Sequence, residues 1–222
     1  MPETAATGSY QPREAALQIE LYGALNPAIF KPAWFRDQNL LRASEVGQAE
    51  VSVDDDDFMQ FQLPDLLIDV TRNRFALLSR NEALNLTHRD LVASLFEVLR
   101  HTPLRSLTIS RFAWFEPPQP DAILNWGPVA KHEFFGDLLK RPTVDRVTIV
   151  GSPSIGEYQT ELTVEDSTRS DAPLLVRCVY SRDLPDESST LGPELEKDWG
   201  SLYDHSDAVM ARCNDTLWQA RI

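Results

Sequence analysis

The chain has 222 residues, 42% of them apolar and 25% charged, and a formal net charge of −13. That length can bury a core without disulfide or metal staples, and the aromatic residues spread along it exclude disorder throughout. So negative a surface repels phosphate backbones, so direct nucleic-acid binding is not expected and a basic protein surface is the fitting partner.

The acid is uneven. Residues 1–111 hold 15 Asp/Glu against 11 Lys/Arg, a net of −4, and residues 112–222 hold 19 against 10, a net of −9. The second half is therefore the expected acidic face. Cys178 and Cys213 stand far apart, outside any CxxC or Cys-His pattern, and read as small buried apolar residues. No basic-then-apolar leader opens the chain and no 18-residue apolar run occurs, so a cytoplasmic, non-membrane location is expected.

In chain order, residues 1–13 are small, polar and punctuated by Pro and Gly, which predicts a loose arm. "AALQIELYG" alternates Leu17, Ile19 and Leu21 with polar neighbours, the period of a half-buried strand ended by Gly23. "NPAIFKPAWFRDQNLL" carries Pro27 and Pro32, which allow only short helical turns. Its cluster of Ile29, Phe30, Trp34, Phe35, Leu40 and Leu41 reads as a plug over a sheet end. Exposed, Trp34 and Phe35 would instead form an aromatic docking patch.

"VSVDDDDFMQFQL" sets four aspartates, Asp54 to Asp57, before a strand. A calcium loop needs spaced ligands and a glycine turn, which a contiguous run lacks. The run reads as a solvated loop whose charge also discourages strand pairing at a sheet edge. "LLIDVTRNRFALLSR" predicts two strands around a turn at Arg72–Asn73–Arg74. Asp65 and Asp69, four apart, are read as lying on one face of the first of these. They form the best paired-carboxylate arrangement in the chain, and with Arg72 and Arg74 they are the candidate ligand-binding set.

"LTHRDLVASLFEVLRH" predicts a helix over Leu86–His101 with Thr87 as N-cap and an apolar stripe from Leu91 to Leu99. "LRSLTISRFAWF" returns as a strand. "EPPQPDAILNWGP" is the strongest linker signal, and residues 117–126 are taken as the division. A short helical piece, then three strands, "VDRVTIVG", "EYQTELTVED" and "PLLVRCVYS", follow. After the acidic loop "DLPDESSTLGP" a second long helix is expected to begin near Pro193. These elements predict an α+β fold of antiparallel sheets covered by two long amphipathic helices. They fall into two similar halves, 14–116 and 127–222, each a sheet plus a helix.

No GxSxG, GxxxxGK[ST], HExxH or GxGxxG occurs. The four histidines are scattered and read as capping or surface residues. No catalytic residue, metal or cofactor is therefore expected.

The stretches "KPAWFRDQNLL", "FQLPDLLIDVTRNRFALL" and "LVASLFEVLRHTPLRSLTISR" resemble a scattered family of uncharacterised bacterial proteins over residues 17–115. The resemblance implies a strand–hairpin–helix–strand first half and an accessory role in a defence or stress system, with no residue roles to carry over. The expectation is a non-enzymatic interaction or regulatory protein that presents Asp183, Asp186 and Glu187, or Trp34 and Phe35, to a protein partner. The alternative is an enzyme or small-ligand-binding protein with a site between the halves.

Overall fold

The period-two runs are strands, and they join into one sheet rather than two. The described residues of this computed structural model are 12–116, 146–167, 169, 172, 174–184 and 191–219. Nine strands are described: β1 (Glu14–Gly23), β2 (Glu50–Asp54), β3 (Phe58–Leu63), β4 (Leu66–Thr71), β5 (Arg74–Ser79), β6 (Leu104–Phe115), β7 (Arg146–Ile155), β8 (Tyr158–Asp166) and β9 (Leu174–Asp183). Every pair is antiparallel, in the order β2-β3-β4-β5-β1-β6-β9-β8-β7. Helices are α1 (Pro32–Asp37), α2 (Ala43–Val46), α3 (Asn85–Val98) and α4 (Leu191–Gln219).

The expected pair of long helices over separate sheets is thus corrected. There is one nine-stranded sheet, with a single long helix of 29 residues at the end and one of 14 residues in mid-chain. The physical reason lies in β1 and β6. The first is buried between β5 and β6, and it pairs with β6 from Glu14↔Trp114 to Gly23↔Leu104. Two half-sheets that each exposed such an edge would leave a row of unpaired backbone groups; joining them satisfies both. Strand β6 then pairs with β9 from Ser106↔Asp183 to Phe115↔Leu174, so residues on both sides of the linker share the sheet. The linker itself, the short helical piece after it, and nearly all of the N-terminal arm lie outside the described residues.

Alternation decides which side is covered. Leu17, Ile19 and Leu21 of β1, Ile68 and Val70 of β4, Phe75 and Leu77 of β5, and Leu107 and Ile109 of β6 all face the helices and are buried. A chain of rings ties the plug to this face. Phe30 lies 5.9 Å from Phe75 and 6.4 Å from Phe35, Phe35 lies 5.5 Å from Phe61, and Phe75 lies 5.4 Å from Phe96 of α3. Tilted and edge-to-face rings of this kind add to the burial itself.

Helix α3 starts one residue earlier than expected and ends at Val98, and Thr87 is not its cap. A 3-10 turn, Glu82–Leu84, capped by the Asn81 side chain, feeds into it directly. Helix α4 starts at Leu191, two residues before Pro193.

Gly23 closes β1 where the chain passes the α3–β6 connection. A Cβ there would lie 2.2 Å from the carbonyl oxygen of Pro103, which is backbone and cannot swing aside. Gly23→Ala is therefore expected to destabilise the fold by about 2 kcal/mol or more, read as a lower urea midpoint with an unchanged slope.

Candidate functional site

The α3 stripe carries more than apolar residues. Asn85, His88, Val92, Leu95 and Phe96 are its buried positions, a helical period that places His88 inside. His88 is 7% exposed, and its Nδ1 lies 2.7 Å from Oγ of the fully buried Ser79 at the end of β5. Ser79 Oγ is in turn 2.8 Å from Asn85 Oδ1 and 3.3 Å from the Asn81 carbonyl oxygen.

A hydroxyl has one proton. Both of these other neighbours are acceptors, so that proton goes to one of them and Ser79 must accept from His88. His88 therefore carries its hydrogen on Nδ1, and Nε2 bears the lone pair. Burial lowers the His88 pKa, against a smaller raising effect from the charges of Asp65 and Glu45.

The outer side of His88 lines a cavity of about 430 Å³ between α3, the α1–α2 region and the β3–β4 turn. Six of its fifteen lining residues are leucine, and its carboxylates are Glu45, Asp65 and Asp90. Glu45 Oε2 accepts from the Arg42 backbone N–H at 2.6 Å, and Asp90 pairs with the neighbouring Arg89. Among the described residues the Asp65 carboxylate has no hydrogen-bond or ion-pair partner; only its backbone oxygen is used, by the Arg80 N–H.

A second, more open cleft of about 740 Å³ lies where β1, β6 and α4 meet, and Asp65 lines it too. Arg111 forms part of its wall. Its guanidinium, 6% exposed, bonds Glu82 at 2.6 Å and Ser206 at 2.7 Å, pairs with Asp207, and lies 4.2 Å from the Tyr203 ring centre. Every one of these partners neutralises or shields the cation, so it is consumed by structure.

The candidate ligand set is split by the fold. Asp65 sits in the β3–β4 turn rather than on β4, so it does not share a strand face with Asp69. Asp69 lies 3.4 Å from Arg74 and 3.3 Å from Gln60, and Arg74 Nε donates to Glu20 at 2.6 Å. These form an ion-pair row across the sheet face away from the helices. Arg72 is exposed and pairs with Asp57. Of the aromatic pair, Phe35 is fully buried and cannot meet a partner, while Trp34 is half-buried with its ring edge-on to Phe35 at 5.4 Å. Asp183 is exposed at the end of β9; Asp186 and Glu187 lie outside the described residues.

Three of the four consecutive aspartates have work inside the molecule. Asp54 pairs with Lys31 and Asp57 with Arg72. Asp55 Oδ1 accepts from the backbone N–H groups of Asp57 at 2.8 Å and Phe58 at 2.6 Å, which closes the β2–β3 turn. Among the described residues no group of three or more His, Cys, Asp or Glu is placed to hold a metal ion, and no helix is long and apolar enough to cross a membrane. No family model matches the chain, and no curated protein matches it in sequence.

Sequence reasoning placed His88 at a surface or cap and missed Ser79 and Asn85. The signal was present in the spacing 88, 92, 95, 96, which puts His88 on the buried stripe.

Two outcomes follow. Asp55→Ala should cost about 1 kcal/mol of stability, as for loss of a side-chain cap, while Asp56→Asn leaves it unchanged, both measured by urea denaturation. His88 has a lowered folded pKa, so the unfolded chain binds the extra proton first. Its contribution is fully present above the unfolded value of about 6.5 and is lost as pH falls from there through the folded value. His88→Asn, which keeps a donor toward Ser79 but does not titrate, should remove that part of the acid destabilisation when urea midpoints are compared across this range.

Proposed function

We propose that the protein is a non-enzymatic interaction protein that receives an extended strand of a basic protein partner along the outer edge of β7. The observation that carries this reading is the contrast between the two ends of the sheet. The β2 edge is short, acidic and bulged, with a register shift between Val51 and Val53, and the aspartate turn follows it. Such features discourage pairing.

The β7 edge has none of them over Arg146–Gly151, where the sequence RVTIVG contains no acid. Ile149 is 50% and Val150 69% exposed. Among the described residues no strand pairs with the outer side of β7. Strand addition at such an edge draws affinity from main-chain hydrogen bonds and specificity from alternate side chains.

Charge supports a basic partner. Glu157 in the β7–β8 turn and Asp183 at the end of β9 are exposed and line one shallow depression across the ends of β6, β9 and β8. Carboxylates so placed speed encounter with a basic surface and lose that effect in salt.

Hydrogen exchange tests the reading. The alternate amides of Arg146–Gly151 that point away from β8 should exchange quickly in the isolated protein and slow on partner binding. A photo-crosslinker at position 149 should capture a partner peptide of extended, Lys/Arg-flanked sequence. Val150→Pro should abolish binding, and Asp183→Lys with Glu157→Lys should slow association more than it speeds dissociation. Protection of these amides in the isolated protein, or binding that survives Val150→Pro, overturns the proposal.

A further inference from the structure

The geometry points to the cavity between α3 and the β3–β4 turn as a binding site for a small organic ammonium ion, a positively charged amine carried on an apolar body. The site lies on the helix-covered side of the sheet and is independent of the β7 edge. It is more than a cluster of acids. It is a half-open cavity of about 430 Å³, within the size range of ligand sites. His88, a residue 7% exposed, borders it, and the only described partner of its ring is Ser79.

The chemistry of the ligand follows from which polar atoms remain unused. His88 Nε2 carries a lone pair because Ser79 spends its one proton elsewhere. The Asp65 carboxylate has no partner among the described residues, and Glu45 keeps one oxygen outside its bond to the Arg42 N–H. These are acceptors, and two of the three bear charge. An ammonium group offers three donors and one positive charge and satisfies them. An anion would meet only repulsion from the same groups. Leu41, Leu63 and Leu91 give an apolar part to a lining that also holds Asn39, Gln48, Thr87 and Ser94, and that apolar part favours an alkyl or aryl body over a hydrated metal ion.

Phenethylamine as its ammonium salt is the probe, titrated by calorimetry and by the nitrogen chemical shifts of His88 in labelled protein. Binding at one site, with the largest shift at Nε2, is expected. 2-Phenylethanol, neutral and of the same shape, should bind about tenfold more weakly or worse, the cost of losing a charge-assisted hydrogen bond, and 3-phenylpropionate should not bind.

Asp65→Asn should weaken the amine about tenfold while leaving the melting temperature unchanged, since that carboxylate makes no hydrogen bond or ion pair among the described residues. Leu91→Trp, which fills the volume and leaves every charge in place, should block it. Asp56→Asn, an acid of the distant β2–β3 turn, should leave it unaltered. Equal binding of amine and alcohol would show an apolar cavity without charge selectivity. Amine binding that survives both Asp65→Asn and Leu91→Trp would show attraction to the acidic surface at large. No shift at His88 would show the cavity to be closed to the probe. Each of these outcomes overturns the inference.

Discussion

Two buried arginines decide where the long helix can lie. Arg111 on β6 and Arg182 on β9 both point to the covered side of the sheet and are 5% and 8% exposed. A guanidinium there costs several kcal/mol unless it is paired and bonded. Helix α4 supplies both partners: Glu194 in its first turn meets Arg182 at 2.6 Å, and Asp207 with Ser206 meets Arg111. Those carboxylates are 13 residues apart, about 20 Å along a helix, so the two pairs fix the direction of α4 as well as its position. The rings of Tyr158 and Tyr203 lie against the same two cations, at 4.9 and 4.2 Å.

This pinning changes the meaning of the acid in the second half. A net charge of −9 over residues 112–222 reads as a docking surface when only sequence is in view. In the fold, Glu194 and Asp207 neutralise buried arginines, Glu165 pairs with Arg146, and Glu161 with Arg177. Four of the nineteen acids are therefore counter-charges of sheet arginines, and of these four only Asp207 answers an arginine of the first half. Glu157 and Asp183 are exposed acids outside these pairs. The same applies in the first half, where the aspartate run that looked idle closes a hairpin and holds Lys31 and Arg72.

The strands were legible because each has one covered side, and burial on one side writes itself as alternation. Leu17, Ile19 and Leu21 show it, and so do Leu107 and Ile109. What alternation does not encode is which strand lies beside which. The pairing of β1 with β6, separated by most of the first half, makes one sheet from what read as two, and no local pattern announces it. The short strand β2 was invisible for a different reason: at an edge, with its residues mostly exposed, nothing forces it to alternate. His88 was misplaced because a histidine in a first turn was judged by the helix dipole alone. Its spacing with Val92, Leu95 and Phe96 argued for burial, and burial next to Ser79 was the stronger term.

The candidate site had no motif to find because its character comes from one shared proton. Ser79 ends β5, Asn81 and Asn85 flank the 3-10 turn, and His88 follows one helical turn after Asn85. Each is unexceptional in sequence. Brought together, a hydroxyl between two carbonyl acceptors accepts from the imidazole of His88, and that leaves the lone pair on the other ring nitrogen. The neighbouring turn then leaves the Asp65 carboxylate without a partner among the described residues, because β4 begins one residue later, at Leu66. Had Asp65 stood on the strand as the period suggested, it would have joined Asp69 and Arg74 in the ion-pair row on the opposite side. Displaced by the turn, it is half-buried at the border of the cavity, on the helix side of the hairpin rather than in the ion-pair row.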